Sequence, residues 1–167
     1  MIRYVEVSEL AQYRELRLHA LKESPEAFGS DYTESEKRPI ESFLPMVEMP
    51  RTEAFLLGAF EKGELVGIVS FRRRLGIKMR HKAEINQMFV LPRCRGKGVG
   101  RQLLERLISL AGLIEGIESL LLAVIDKNEA AMMLYRSLGF DVYGNEARAL
   151  CVSGTYYDEV LMEKHFS

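Results

Sequence analysis

The chain has 167 residues, with 23 Lys and Arg against 24 Asp and Glu for a formal net charge of −1. That length suits one domain spanning residues 1–167, able to bury roughly 70% of its unfolded surface, and the even charge gives no global reason to bind nucleic acid or an anionic membrane. No apolar run approaches the roughly 18 residues of a membrane span, and two cysteines, Cys94 and Cys151, argue against a disulfide framework, so a reduced, cytoplasmic setting is expected.

In chain order, Met1 to Val7 alternates like a strand and holds no stretch apolar enough for a signal peptide. Ser8 is the expected N-cap of a helix whose Leu10, Tyr13, Leu16, Ala20 and Leu21 make one apolar stripe. Pro25 and Gly29 break it, and a short helix is expected from Ile40 to Val47, ended near Pro50. Ala54 to Phe60 and Leu65 to Phe71 read as an antiparallel hairpin around Glu61-Lys62-Gly63-Glu64. A second hairpin turns through Leu75-Gly76-Ile77 into a strand from Ala83 to Val90. Arg72, Arg73, Arg74, Lys78, Arg80, His81 and Lys82 make that hairpin basic, which a solvated tip that discourages edge pairing explains most economically. It lacks the aromatic interleaving of an RNA-binding surface.

Phe89-Val90-Leu91-Pro92-Arg93-Cys94-Arg95-Gly96-Lys97-Gly98-Val99-Gly100-Arg101 then runs from an apolar strand through a glycine-rich turn. Val99, Leu103, Leu104, Leu107, Ile108 and Ala111 recur at helical spacing beyond it, so the turn opens a helix N-terminus. Backbone free of Cβ atoms, unpaired amides and the positive end of the dipole together suit a phosphate-rich ligand, and Arg93, Arg95, Lys97 and Arg101 add charge. A P-loop is excluded because Gly-Lys is followed by Gly98 rather than by Ser or Thr. A dinucleotide fold gains from Asp126 after the apolar run Leu120 to Ile125. It loses on the G-x-G-x-G order, on the residues between strand and first glycine, and on the lack of further βαβ units.

Arg93-Cys94-Arg95-Gly96-Lys97-Gly98 instead resembles the R/Q-x-x-G-x-G/A signature of the GNAT superfamily of acetyl-CoA-dependent N-acetyltransferases. Asn128 to Phe140 is similar to the family's N-x-x-A-x-x-x-Y-x-x-x-G-F helix, and Gly154 to Met162 resembles its closing strand. The resemblance implies an α+β single domain. Its central mixed sheet is antiparallel first and parallel in the middle, flanked by helices, with a V-shaped splay between the two central strands. Acetyl-CoA would be the acetyl donor, held by the turn residues Arg93, Arg95, Gly96, Lys97, Gly98, Val99, Gly100 and Arg101. Main-chain groups of Met88, Phe89 and Val90 would face the pantetheine and the oxyanion.

By the same resemblance Glu84 stands where several members keep a general base, and Tyr135 where they keep the general acid for the leaving thiolate. Each has a plainer reading as well: Glu84 as an exposed strand residue paired with the basic cluster, Tyr135 as a buried tyrosine with a satisfied hydroxyl. Asn128, Ala131 and Tyr135 share a helical face. Asn128 is open between a helix cap and a pantetheine contact, and Ala131 would permit close approach of the cofactor.

The implied reaction is direct attack of a primary amine, from a small molecule or a protein, in a ternary complex. A non-catalytic acyl-CoA-binding or sensing domain is the alternative. Phe28 to Glu36, Tyr156 and Tyr157 are expected on the acceptor side, with Asp31, Glu34 and Asp158 as acids able to attract a cationic amine. His19, His81 and His165 show no ligand spacing, so no metal is expected. Cys94 reads as a free thiol filling a small space, and a homodimer stays open.

Overall fold

Strand β1 (Ile2–Tyr4) leads through a short 3-10 turn at Val7–Glu9 into helix α1 (Leu10–Glu23), and the computed structural model describes all 167 residues. The start of α1 corrects the expected Ser8 cap. Ser8 lies inside the turn, and Glu6 and Glu9 form a capping box in which the Glu6 amide donates to the Glu9 carboxylate at 2.9 Å. Glu9 serves better than a serine because its carboxylate also accepts from the Arg3 guanidinium at 2.8 Å. The predicted stripe of α1 is buried, and Arg17 is buried beside it.

Between α1 and the next strand the chain forms α2 (Tyr32–Lys37), which the sequence pattern did not foresee, and α3 (Pro45–Glu48). Asp31 caps α2, accepting from the Glu34 amide at 3.1 Å. The helix expected from Ile40 to Val47 is split into a 3-10 turn, Ile40–Phe43, and α3, because Pro45 fits only a first helical turn. The remaining elements are β2 (Ala54–Glu61), β3 (Glu64–Arg73), β4 (Lys82–Val90), α4 (Val99–Ala111), β5 (Ser119–Ile125), α5 (Glu129–Ser137), β6 (Asp141–Val152) and β7 (Thr155–His165).

The seven strands form one sheet in the order β1-β2-β3-β4-β5-β7-β6, antiparallel throughout except for β4 against β5. This is the mixed α+β architecture expected from the sequence. Two cores cover the two faces. Leu103, Leu104 and Leu107 of α4 pack with Val69, Phe71 and Leu120, while Leu10, Tyr13 and Leu16 of α1 pack with Leu56, Ile68 and Phe43. Each such side chain contributes about 1.5–3 kcal/mol on leaving water.

The parallel pairing of β4 with β5 covers only Lys82 with Ser119, Ala83 with Leu120, and Glu84 with Leu121. Beyond Glu84 the two strands continue unpaired, to Val90 and Ile125, and the sheet opens there as a V. A bulge lies in the opened half of β4: Ile68 and Ser70 of β3 face Phe89 and Asn86, so β4 carries one extra residue. Gln87 takes it up at φ +58°. The bulge changes which face each side chain meets. Ala83 and Ile85 belong to the core under α4, yet Phe89 belongs to the core under α1.

Candidate active site

The opened strands enclose a cavity of about 430 Å³. Its walls come from four places: Ile85, Asn86, Gln87 and Met88 of β4; Leu122 to Ile125 of β5; Asn128, Ala131 and Tyr135 along α5 from its cap to its last turn; and Ala27 to Ser30 with Met46 from the region after α1. Arg17, Ser70, Arg72 and Glu159 complete it. The gap between the strands is therefore open rather than plugged by side chains.

The glycine turn adjoins this cavity. A Cβ added to Gly100 would lie 3.0 Å from the Met88 methyl and 3.8 Å from Leu134, and Arg101 donates to the Ser137 hydroxyl at 2.6 Å, so α4 begins between the end of β4 and α5. Gly96 and Gly98 take φ of +73° and +80°, conformations that L side chains seldom adopt, and nothing stands within 4 Å of where a Gly96 Cβ would be. Gly98 is the N-cap of α4 and supplies no side-chain cap. The amides of Gly96, Lys97, Gly98, Val99, Gly100 and Arg101 donate no hydrogen bond within the chain. The first that does is Gln102, to the Gly98 carbonyl at 3.0 Å. Consecutive free amides at a helix N-terminus are an anion cradle, and they fit a diphosphate.

The cations expected to assist are mostly committed elsewhere. Arg95 donates to the Val90 carbonyl at 2.8 Å and forms a two-pronged pair with Glu23 at 2.9 and 3.0 Å. Arg93 pairs with Glu64 at 2.6 Å and Glu61 at 3.5 Å, and Arg101 lies 3.4 Å from Glu105. Lys97 is exposed and makes no ion pair. The main chain, with Lys97 beside it, thus carries the cradle, and Arg95 fixes the turn to β4 and α1. Cys94 is buried with its sulfur 3.7 Å from a Glu61 oxygen.

Tyr135 is 7% exposed, and burial pushes its phenol up to about 12. Its hydroxyl has no protein partner and its ring meets Phe140 edge-on at 6.0 Å, so the hydroxyl belongs to the cavity. Asn128 is a cap: its side chain accepts from the Ala131 amide at 3.1 Å while the residue also lines the cavity. Met88 lines the cavity, and Phe89 and Val90 are buried in opposite cores with their backbone on the opened side of β4.

Glu84 stands apart from this group. It sits at the last paired position of β4, its carboxylate accepts from Arg74 at 2.9 Å, and it lines a neighbouring cavity of about 210 Å³ with Tyr143, Glu146 and Glu159. Of the acceptor-side expectations, Phe28, Gly29 and Ser30 line the main cavity. Asp31 is spent on its cap, Asp158 accepts from the Arg148 amide at 2.7 Å, and the Arg148 guanidinium lies over the Tyr156 ring at 3.6 Å.

Gln87 and Glu159 are among the site residues that escaped the sequence reading. The Gln87 side chain accepts from the Tyr13 hydroxyl and from Arg17 at 2.9 Å, and Arg17 also donates to Ser30 at 2.8 Å. Glu159 is next to the Asp158 that was singled out. It faces Ile125, the last residue of β5, across the sheet.

Comparison with known proteins agrees with this fold. The solved structure of yncA from Salmonella typhimurium, with its cofactor acetyl-CoA, superposes with a TM-score of 0.87 at 27% identity, covering 100% of this chain and 94% of that one. An acetyltransferase of the GNAT family from Streptococcus pneumoniae gives 0.86 at 27% identity, covering 99% of both chains. The N-alpha-acetyltransferase RimI of Mycobacterium tuberculosis is 37% identical over 100 residues, 59% of this chain and 59% of RimI, and a Mycobacterium leprae protein is 37% identical over 108 residues, 65% of this chain and 28% of that protein. The match thus spans less than two thirds of these relatives' own lengths. The model of the Acetyltransferase (GNAT) family matches residues 16–140, well over half of the sequence, and with the splayed strands and the free amides of the glycine turn it establishes that the chain belongs to that family.

Proposed function

We propose that the protein is an N-acetyltransferase that moves the acetyl group of acetyl-CoA onto a primary amine by direct attack in a ternary complex. The row of undonated amides from Gly96 to Arg101, opening beside a cavity that holds the Tyr135 hydroxyl, carries this reading. Acetyl-CoA supplies an activated thioester, and the chain supplies the surroundings. Free amides bind the diphosphate, the unpaired edge of β4 from Met88 to Val90 orients the arm, and apolar β5 residues exclude water. Tyr135 holds a proton on its oxygen for the departing sulfur. Overall the acceptor ammonium loses two protons: one ends on the thiol and one is released. Glu84 serves that release through the side cavity rather than by direct contact with the amine. Two free cysteines suit the cytoplasmic setting of this reading. No helix is long and apolar enough to cross a membrane.

The test mixes protein and acetyl-CoA with small polyamines, amino sugars, free amino acids and peptide N-termini, and follows free thiol. Amine-dependent release is expected. Tight acetyl-CoA binding without turnover on any amine would favour a sensing domain instead. The cradle is tested by Gly98→Ala. An alanine at φ +80° carries about 1–2 kcal/mol of backbone strain, and relaxing it re-aims the amides. The expected result in calorimetry is acetyl-CoA affinity roughly tenfold weaker, about 1.4 kcal/mol, with the folded signal intact.

A further inference from the structure

Glu159 holds an unusual place between the two cavities. It lines both the splay, with Asn128 and Tyr135, and the side cavity, with Glu84 and Glu146. It is half-buried and has no hydrogen-bond or ion-pair partner in the protein, whereas Glu84 is paired with Arg74. β7 sets its position: Glu159 is opposite Ile125 on one side and Glu146 on the other, at the point where β5 ends and α5 begins.

From these observations we infer that Glu159 receives the acceptor amine: its carboxylate binds the incoming ammonium and takes the proton that must leave before attack, so the substrate is a cationic amine. This rests on the acetyltransferase reading above. In the step, the N–H bond breaks, an O–H bond forms on Glu159, and the nitrogen keeps the electron pair that attacks the thioester carbonyl. The proton then leaves Glu159 toward the side cavity and solvent, which places Glu84 and Glu146 downstream of the direct contact.

The surroundings shift both partners in the direction the transfer needs. An ordinary amine of pKa about 10.4 is far more basic than a carboxylate, so transfer needs the gap narrowed from both sides. The walls of Leu122, Ala123 and Val124 disfavour the ammonium and lower its pKa. Burial and then the charge of Glu146 raise the Glu159 carboxyl above its usual range. The other charged or titratable groups around it are Tyr143 of β6, Glu84 of β4, Arg72 of β3 with Arg74 beyond it, Arg17 of α1 and Tyr135 of α5. Arg74 is paired with Glu84, Arg17 is held by Gln87 and Ser30, and neither these nor Arg72 forms an ion pair with Glu159.

The experiment compares wild type, Glu159→Gln, Glu159→Asp and Glu84→Gln. Calorimetric titration of the CoA complex with the same amines gives binding, and thiol release against pH gives kcat/KM. Glu159→Gln is expected to bind CoA as wild type does, to bind the amine at least tenfold more weakly, and to lose about 100-fold or more in kcat/KM at neutral pH. The acid limb of the wild-type profile, set by a carboxylate with raised pKa, disappears in Glu159→Gln and persists in Glu84→Gln. Partial recovery in Glu159→Asp separates a carboxylate role from a packing role. Amine binding and an acid limb that survive in Glu159→Gln overturn this inference alone. Failure of wild type to release thiol with any amine overturns the acetyltransferase reading with it.

Discussion

Tyr135→Phe is expected to lower kcat by about 100-fold or more while leaving acetyl-CoA affinity within about twofold of wild type. The substitution removes one oxygen, and that oxygen makes no hydrogen bond in the folded chain, so neither α5 nor its packing on Phe140 loses a partner. Stability should therefore change by less than about 1 kcal/mol. In the proposed mechanism, what is lost is the proton held for the leaving sulfur. Burial keeps the phenol neutral up to about 12, so the acid is present in its useful form across the physiological range. The same burial has a stability signature. The folded pKa is raised above the unfolded value of about 10, so this contribution is intact below pH 10 and is lost as pH rises through about 12. Tyr135→Phe abolishes that part of the alkaline destabilisation, and unfolding curves at pH 9 and 11 measure the difference. Wild-type kcat in the phenylalanine variant would remove Tyr135 from the mechanism and leave the departing thiolate to take its proton from elsewhere.

Features that rest on local backbone chemistry were readable before the fold was known. The glycine turn declares itself because positive φ at Gly96 and Gly98 calls for a residue type that survives as a letter in the sequence. The face shared by Asn128, Ala131 and Tyr135 follows from helical spacing, and all three line the cavity. Features that rest on distant partners were not readable. Arg95 looks like a phosphate ligand until the fold brings Glu23 to it from 72 residues away. Glu84 and Glu159 are the same letter, yet one meets Arg74 and the other meets two cavities. Choosing Glu159 over Asp158 requires the strand phase and the position at which β5 ends, and both are set by the register of β7. Gln87 is the plainest case. A glutamine inside an apolar strand carries no turn signal, and its positive φ is imposed by the mismatch with β3 and by α1.

Gln87→Ala tests that imposed conformation and is expected to destabilise the protein by about 2–4 kcal/mol, a fall in Tm of roughly 5–15 °C for a chain of this size. Alanine tolerates φ +58° no better than glutamine does, so backbone strain stays and only the side-chain acceptor is lost. The Gln87 oxygen accepts from both Tyr13 and Arg17. Both donors are buried: Tyr13 is 1% exposed and Arg17 is 6% exposed, with the Nε of Arg17 already unpaired. Removing the acceptor leaves the Tyr13 hydroxyl without a partner and the Arg17 guanidinium with Ser30 alone, and the cationic group makes up the larger share of the cost. Gln87→Gly loses the same acceptor but relieves the positive φ, so it should fall between wild type and Gln87→Ala by about 1 kcal/mol. That ordering separates the hydrogen-bond contribution from the backbone contribution. Function should follow structure here, because the bulge sets the phase of Met88 to Val90 along the opened half of β4. Acetyl-CoA affinity is therefore expected to drop in Gln87→Ala even at temperatures where it is fully folded. Equal stability of Gln87→Ala and wild type in denaturant titration would show that α1 does not hold the bulge in place.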